Sequence, residues 1–205
     1  MKKKLLLPLI LSLLLLLAGC SKTKLEPGQS LTAFKKGSVT VSSMISDKDA
    51  KSYFGIRFKD SKKEIKEDIV DYFSDIYDDD IKITKFKKGK DYISFTYTLE
   101  DAEDLGFYDE LSLEDYADKN RFDDVEELAD TLDFITYGKE KSVDSDDIDK
   151  YEDDFVQRVQ GGSKGAYYKM PKKILLVTDD LKYEKVSNDT IFVKRNSSGI
   201  IVFKK

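Results

Sequence analysis

The stretch KKILLVTDDLKYEKVSNDTIFVKRNSSGIIVFKK, residues 172–205, decides the fold class. Four apolar runs, Lys172 to Thr178, Lys182 to Val186, Thr190 to Lys194 and Gly199 to Lys205, are separated by DD, SND and RNSS. These separators have turn composition, because Asp, Asn and Ser side chains bond the local backbone and suit tight conformations. Short strands joined by short turns predict a C-terminal β-meander.

Upstream the pattern is helical. Leu113 to Lys119 after Ser112, Asp124 to Phe134 after Asp123, and Asp146 to Val159 after Ser145 each follow a residue suited to capping a helix. In the last of these, Ile148, Tyr151, Phe155 and Val159 share a helical face. The clearest helix is Lys62 to Tyr77, where Ser61 and Glu64 form a capping box and Ile65, Ile69, Phe73, Ile76 and Tyr77 form one apolar stripe. A short helix is expected at Asp47 to Phe54 and a short strand at Ser38 to Met44. Ile81 to Phe86 and Tyr92 to Leu99 flank a five-residue hairpin loop, Lys87 to Asp91, in which Gly89 sits. The alternation does not settle which faces of these two strands pair. Strands and helices in separate runs predict an α+β fold, an antiparallel sheet that includes the C-terminal β-meander and is covered by several helices, rather than a parallel βαβ array.

The amino end has a different character. Lys2, Lys3 and Lys4 precede Leu5 to Ala18, a run apolar except for Pro8 and Ser12. A charged start, a short apolar run and small residues before a cut site make up a secretory signal peptide. At about 1.5 Å per residue the run reaches about 21 Å, short of a hydrocarbon core of about 30 Å.

Leu17, Ala18, Gly19 and Cys20 resemble the lipobox of bacterial lipoproteins. The resemblance implies cleavage before Cys20 and a diacylglyceryl group, with fatty chains of the palmitate kind, on its thiol. It also implies a membrane partner and a place on the extracytoplasmic face of the cell membrane. Two acyl chains, at about 0.8 kcal/mol per buried methylene, make such an anchor stable. The expected division is a signal peptide at 1–19, the lipidated cysteine and a flexible tether at 20–37, and one α+β domain at 38–205. Cys20 is the chain's one cysteine, so an intramolecular disulfide is excluded and stability must come from packing.

Charge is uneven along the chain. Glu100 to Asp154 carries a net −18, whereas Phe155 to Lys205 carries +7. Near an anionic membrane such a dipole predicts that the basic strands face inward and the acidic helices outward. An acidic total and an exported location argue against a nucleic-acid partner.

The 205 residues include no histidine, which excludes a Ser-His-Asp triad, a Cys-His pair and any histidine-based zinc site. Carboxylates, Ser-Lys pairs and tyrosines remain. SKTK at Ser21 to Lys24 has the Ser-x-x-Lys spacing of penicillin-binding enzymes but lacks their companion motifs. The loop QGGSKG, Gln160 to Gly165, reads as a glycine-rich helix terminus and turn rather than a phosphate cradle. Asp144, Asp146 and Asp149 are weak metal candidates, because an EF-hand started at Asp144 would need Gly at 149 and Glu at 155 and finds Asp and Phe. Asp78, Asp79 and Asp80 read as a helix-to-strand loop.

No catalytic residue and no cofactor is expected. The expected function is a non-enzymatic binding or interaction domain at the cell surface, its partner a protein, a wall component or a small ligand. Tyr108, Tyr116 and Tyr137 are candidate interface aromatics. The alternative is a histidine-free cell-wall hydrolase using carboxylates, which needs two of them facing each other across a cleft.

Overall fold

The computed structural model describes residues 23–35, 37–77, 81–100 and 111–205. Twelve strands are described: β1 (Gln29–Lys35), β2 (Ser38–Ser46), β3 (Lys82–Lys88), β4 (Tyr92–Glu100), β5 (Phe134–Thr136), β6 (Ser142–Val143), β7 (Phe155–Gln160), β8 (Ala166–Lys169), β9 (Ile174–Thr178), β10 (Tyr183–Lys185), β11 (Thr190–Val193) and β12 (Ser198–Phe203). The helices are α1 (Asp47–Phe54), α2 (Lys62–Tyr77), α3 (Leu113–Lys119) and α4 (Val125–Leu132), with a 3-10 helix at Ser145–Tyr151. The fold is α+β, as the sequence pattern indicates.

The strands form two sheets, ordered β10-β11-β8-β1-β2-β4-β3 and β6-β5-β9-β12-β7. Their pairings are antiparallel except for β1 with β8. The four C-terminal strands are present, but they do not form a meander. Strands β9 and β12 pair with each other in the five-stranded sheet, whereas β10 and β11 form a hairpin on β8 in the seven-stranded one. The chain crosses between sheets at Asp179–Lys182 and returns at Lys194–Ser197. These crossings lie side by side, with Lys194 N–H donating to Lys182 O at 2.8 Å and Lys182 N–H to Ser197 Oγ at 2.8 Å. Turn composition marks where a strand stops, not which sheet the next one joins.

Two further expectations are corrected. Gln29–Lys35, assigned from composition to the tether, is β1, a central strand held by β2 on one side and β8 on the other. The helix expected from Asp146 to Val159 is a short 3-10 turn followed by β7. Phe155 and Val159 do share a face, but Val156 between them is buried on the opposite one, against α3 and α4. A segment buried on both faces is a strand with period two, and the helical spacing of its larger residues coincided with that period. At Asp124 to Phe134 the helix is α4, capped by Asp124 rather than Asp123, and Phe134 already belongs to β5.

Helix α2 follows its pattern closely. Ser61 N–H donates to Glu64 Oε2 at 2.7 Å and Glu64 N–H to Ser61 Oγ at 3.2 Å, closing the capping box. Ile65 and Ile69 are fully buried and Phe73 and Tyr77 pack beside them, but Ile76 is 52% exposed and lies off the stripe. The β3–β4 hairpin takes the register Ile83 opposite Tyr97, so Ile93, Phe95, Tyr97 and Leu99 turn inward with Ile83.

These elements stack in layers. Over β2, β4 and β3 the inner face of the seven-stranded sheet packs against α1 and α2, through Phe54, Phe73, Phe95 and Tyr97. Elsewhere the same face meets the five-stranded sheet, with Phe34, Ile191 and Val193 on one side and Val159, Val177, Ile201 and Phe203 on the other. The far face of the five-stranded sheet presents Val156, Leu176, Ile200 and Val202 to α3, α4 and the 3-10 helix. The outer face of the seven-stranded sheet carries hydroxyls in register, Thr40 with Thr98 at 3.2 Å and Ser42 with Thr96 at 3.0 Å. Its β3 edge bears Lys82, Lys85, Lys87 and Lys88, a composition that discourages edge-to-edge pairing.

Candidate functional site

Two concavities flank α3. The larger is a cleft of about 630 Å³ along β7, the edge strand of the five-stranded sheet, and it is roomy enough for a small molecule. Helix α3 is positioned over it from both ends. At its start, Leu113 N–H donates to Asp154 O at 2.9 Å and Val156 N–H to Leu111 O at 3.0 Å, while Ser112 and Asp115 close a capping box. At its end, Arg158 of β7 reaches across.

Arg158 Nε donates to the Tyr116 hydroxyl at 2.7 Å, and an Nη2–H donates to Asn120 Oδ1 at 2.9 Å. The guanidinium lies 5.2 Å from the centre of the Tyr116 ring, a cation–π arrangement. Asn120 is itself oriented, because its Nδ2 donates to Tyr116 O at 2.7 Å. The other end of the cleft is closed by Tyr168 of β8. Its hydroxyl donates to Gln160 O at 2.7 Å and accepts from Gln160 N–H at 3.1 Å, and burial pushes its pKa up. Phe34, Leu132, Val159 and Ile200 supply apolar lining.

The second concavity, about 260 Å³, is acidic. Glu114 and Asp118 of α3, Asp123, Asp124 and Glu126 at the start of α4, and Asp149 and Glu152 converge on it. The Glu126 carboxyl is held above its ordinary range, first by the charge of Asp149 and then by slight desolvation and the charges of Asp124, Asp146 and Asp130. Part of the cluster is structural: Asp124 Oδ1 accepts from Glu127 N–H at 2.8 Å, capping α4.

Of the three metal candidates, the structure brings only Asp149 into this hollow. Asp144 caps the 3-10 helix without a side-chain hydrogen bond, and Asp146 lies in its first turn. Among the described residues no three carboxylates or other ligating groups are arranged to hold a metal ion. Cys20, Asp78, Asp79, Asp80 and Tyr108 lie outside the described residues.

Tyr116 and Tyr137 are both buried, at 7% and 6% exposed; Tyr116 packs with the α3–α4 core and borders the cleft, whereas Tyr137 lies between the sheets, away from it. QGGSKG follows a strand and forms the turn from β7 to β8, with Gly161 pressed against Lys194 O. Arg158 and Asn120 were missed by sequence reasoning, since Arg158 fell within a misassigned helix and no motif marks either.

Several C-terminal lysines are paired with carboxylates: Lys204 with Asp154 at 3.4 Å, Lys205 with Asp153 at 3.3 Å, Lys194 with Glu184 at 3.4 Å and Lys169 with Asp189 at 3.6 Å. Among the described residues no helix is long and apolar enough to cross a membrane. No family model matches the chain, and no curated protein or solved structure is significantly similar to it.

Proposed function

We propose that this chain is a lipid-anchored binding protein of the extracytoplasmic face of the cell membrane, attached through a diacylglyceryl group on Cys20. The observation that carries the reading is LAGC, with a cysteine directly after a charged and then apolar leader. Strand β1 begins at Gln29, nine residues past Cys20, and Gly28 N–H already donates to Met44 O at 2.7 Å, so the link to the anchor reaches at most about 30 Å and holds the fold near the bilayer. Binding rather than catalysis is favoured by the β7 cleft, whose lining combines apolar side chains with Arg158, Tyr116 and the neutral polar groups of Gln157, Gln160, Thr32 and Ser198, and includes no carboxylate.

Intact mass of the protein purified from its membrane fraction tests the anchor. The expected mass begins at Cys20 and includes the diacylglyceryl adduct, and Cys20→Ser releases the protein from membranes. A bare thiol, or a chain that retains Met1, overturns the reading.

A second reading, a histidine-free hydrolase of cell-wall glycan, draws on Glu126 and its neighbours. A raised carboxyl facing other carboxylates is what glycoside hydrolysis requires. Glu126 is fully exposed, however, and its shift comes from charge crowding rather than from an apolar pocket. Release of dye from labelled wall glycan, lost on Glu126→Gln, would establish this second reading; we expect none.

A further inference from the structure

We propose that the β7 cleft is a binding site for a small organic anion, whose carboxylate or phosphate is received jointly by the Arg158 guanidinium and the Tyr116 hydroxyl. The proposal rests on the binding-protein reading and names the ligand class of that site.

The donors outnumber the acceptors. A guanidinium has five N–H groups, and here Nε–H is spent on the Tyr116 hydroxyl and one Nη2–H on Asn120. The other three find no acceptor among the described residues. The Tyr116 oxygen accepts from Arg158, so its own proton is free to be donated, and it too meets no acceptor there. Donors from two side chains, the exposed Arg158 and the 7% exposed Tyr116, therefore meet where α3 borders the cleft.

The charge is also unanswered. Every group bracing Arg158 is neutral: a phenol, an amide oxygen and a ring face. Helix α3 carries Glu114, Asp115, Asp118 and other carboxylates nearby, yet none forms an ion pair with Arg158. Neutral braces fix the direction of a guanidinium while leaving its charge available, and the planar fork matches a carboxylate or phosphate oxygen pair. Preorganisation of this kind lowers the ordering cost of binding. Leu132 and Ile200, on the same side of β7 as Arg158, then offer apolar surface beside the anionic head. Arg158 as a mere latch on α3 would explain two of its five N–H groups and leave the cleft without a purpose.

The test uses the full chain in zwitterionic nanodiscs, with empty nanodiscs as the blank, and saturation-transfer NMR of three probes: phenylacetate, phenyl phosphate and neutral phenylacetamide. At least one anion should bind at least about tenfold more tightly than the amide, a difference of about 1.4 kcal/mol. The two anionic arms show whether a carboxylate or a phosphate is preferred. Arg158→Gln should weaken the bound anion about tenfold or more. Tyr116→Phe, which keeps the ring beneath the guanidinium, should weaken it severalfold, and Leu132→Trp, which fills the cleft, should abolish binding. If Arg158→Gln unlatches α3 and fails to fold, the Tyr116 and Leu132 variants carry the test.

Absence of binding by both anions overturns the proposal, as does equal affinity for the amide or wild-type affinity in the folded variants. Anchoring is read separately from the mass at Cys20. A bare thiol with intact anion binding would sink only the anchor, and a lipidated chain that binds no anion would sink only the site.

Discussion

The hydroxyl of Tyr137, at the end of β5, donates to the carbonyl oxygen of Thr190 in β11 at 2.7 Å, joining the five-stranded sheet to the seven-stranded one. The Tyr137 hydroxyl also lies 3.0 Å from Ser187 O, and its ring stacks on Tyr183 with centroids 5.5 Å apart. This is the buried polar contact that fixes how the β10–β11 hairpin sits on the core. Tyr137→Phe keeps the packing and removes the donor, leaving the Thr190 carbonyl to the Val186 and Ser187 N–H groups, which lie 3.1 and 3.0 Å away. The expected loss is about 0.5–1.5 kcal/mol in denaturant unfolding, with the slope unchanged. A loss under about 0.3 kcal/mol would mean that this hydrogen bond does not help to hold the hairpin.

Three phenols predict the alkaline limit of the fold. Burial raises the pKa of Tyr97, assisted by its hydrogen bond to Tyr77, and burial likewise raises those of Tyr137 and Tyr168. A group whose folded pKa lies above its unfolded one contributes stability that is intact below the unfolded value, about 10, and is lost as pH climbs toward the folded value. Stability should therefore be flat through neutral pH and fall above about pH 10, at up to about 1.4 kcal/mol per pH unit for each phenol that stays protonated in the fold. Phenolate absorbance should rise together with unfolding rather than before it. Tyr97→Phe should flatten part of the slope.

The turn from β7 to β8 separates steric crowding from backbone strain. A Cβ on Gly161 would lie 1.8 Å from Lys194 O, a backbone atom that cannot swing away, whereas one on Gly162 meets nothing within 4 Å. Gly162 does have φ of +56°, which costs a side chain roughly 1 kcal/mol. Gly161→Ala should thus destabilise by about 1–3 kcal/mol or more through overpacking, and Gly162→Ala by about 1 kcal/mol. The reverse order in thermal unfolding would refute the close approach of this turn to the chain crossing at Lys194.

The sequence revealed local elements far better than their partners. Helix α2 was legible because Ser61, Glu64, Ile65 and Ile69 carry cap and stripe within nine positions, and α3 because Ser112 precedes it. The sheet assignment of the carboxyl strands was not legible, since pairing of Ile201 with Val177 or Ile191 with Tyr168 is a long-range fact with no local mark. Strand β1 was hidden by its polar composition: only Phe34 is fully buried, and the strand is held by backbone pairing on both sides. Of the cleft, Tyr116 was singled out as an aromatic, but its partner Arg158 sits 42 residues away on a strand that read as a helix.

The acidic hollow makes a prediction whose sign runs against the usual carboxylate. Glu126 has a raised pKa in the fold, first through Asp149, so its contribution is intact below the ordinary carboxylate range and lost as pH rises through the folded value. At neutral pH the charged cluster is therefore a source of repulsion. Glu64, accepting from the Ser61 amide, and Asp147, paired with Lys150, have lowered pKa values and contribute in the opposite sense, fading as pH falls. Glu126→Gln isolates the first effect. It should raise the unfolding temperature at pH 7, and the gain should shrink as pH falls and the wild-type carboxyl takes up its proton. Because Glu126 is solvent-exposed, the gain should also diminish in 1 M salt, where charges are screened beyond about 3 Å. A gain that persists in high salt would assign the repulsion to packing rather than charge, and a loss of stability on Glu126→Gln would mean that the hollow is held together by its carboxylates.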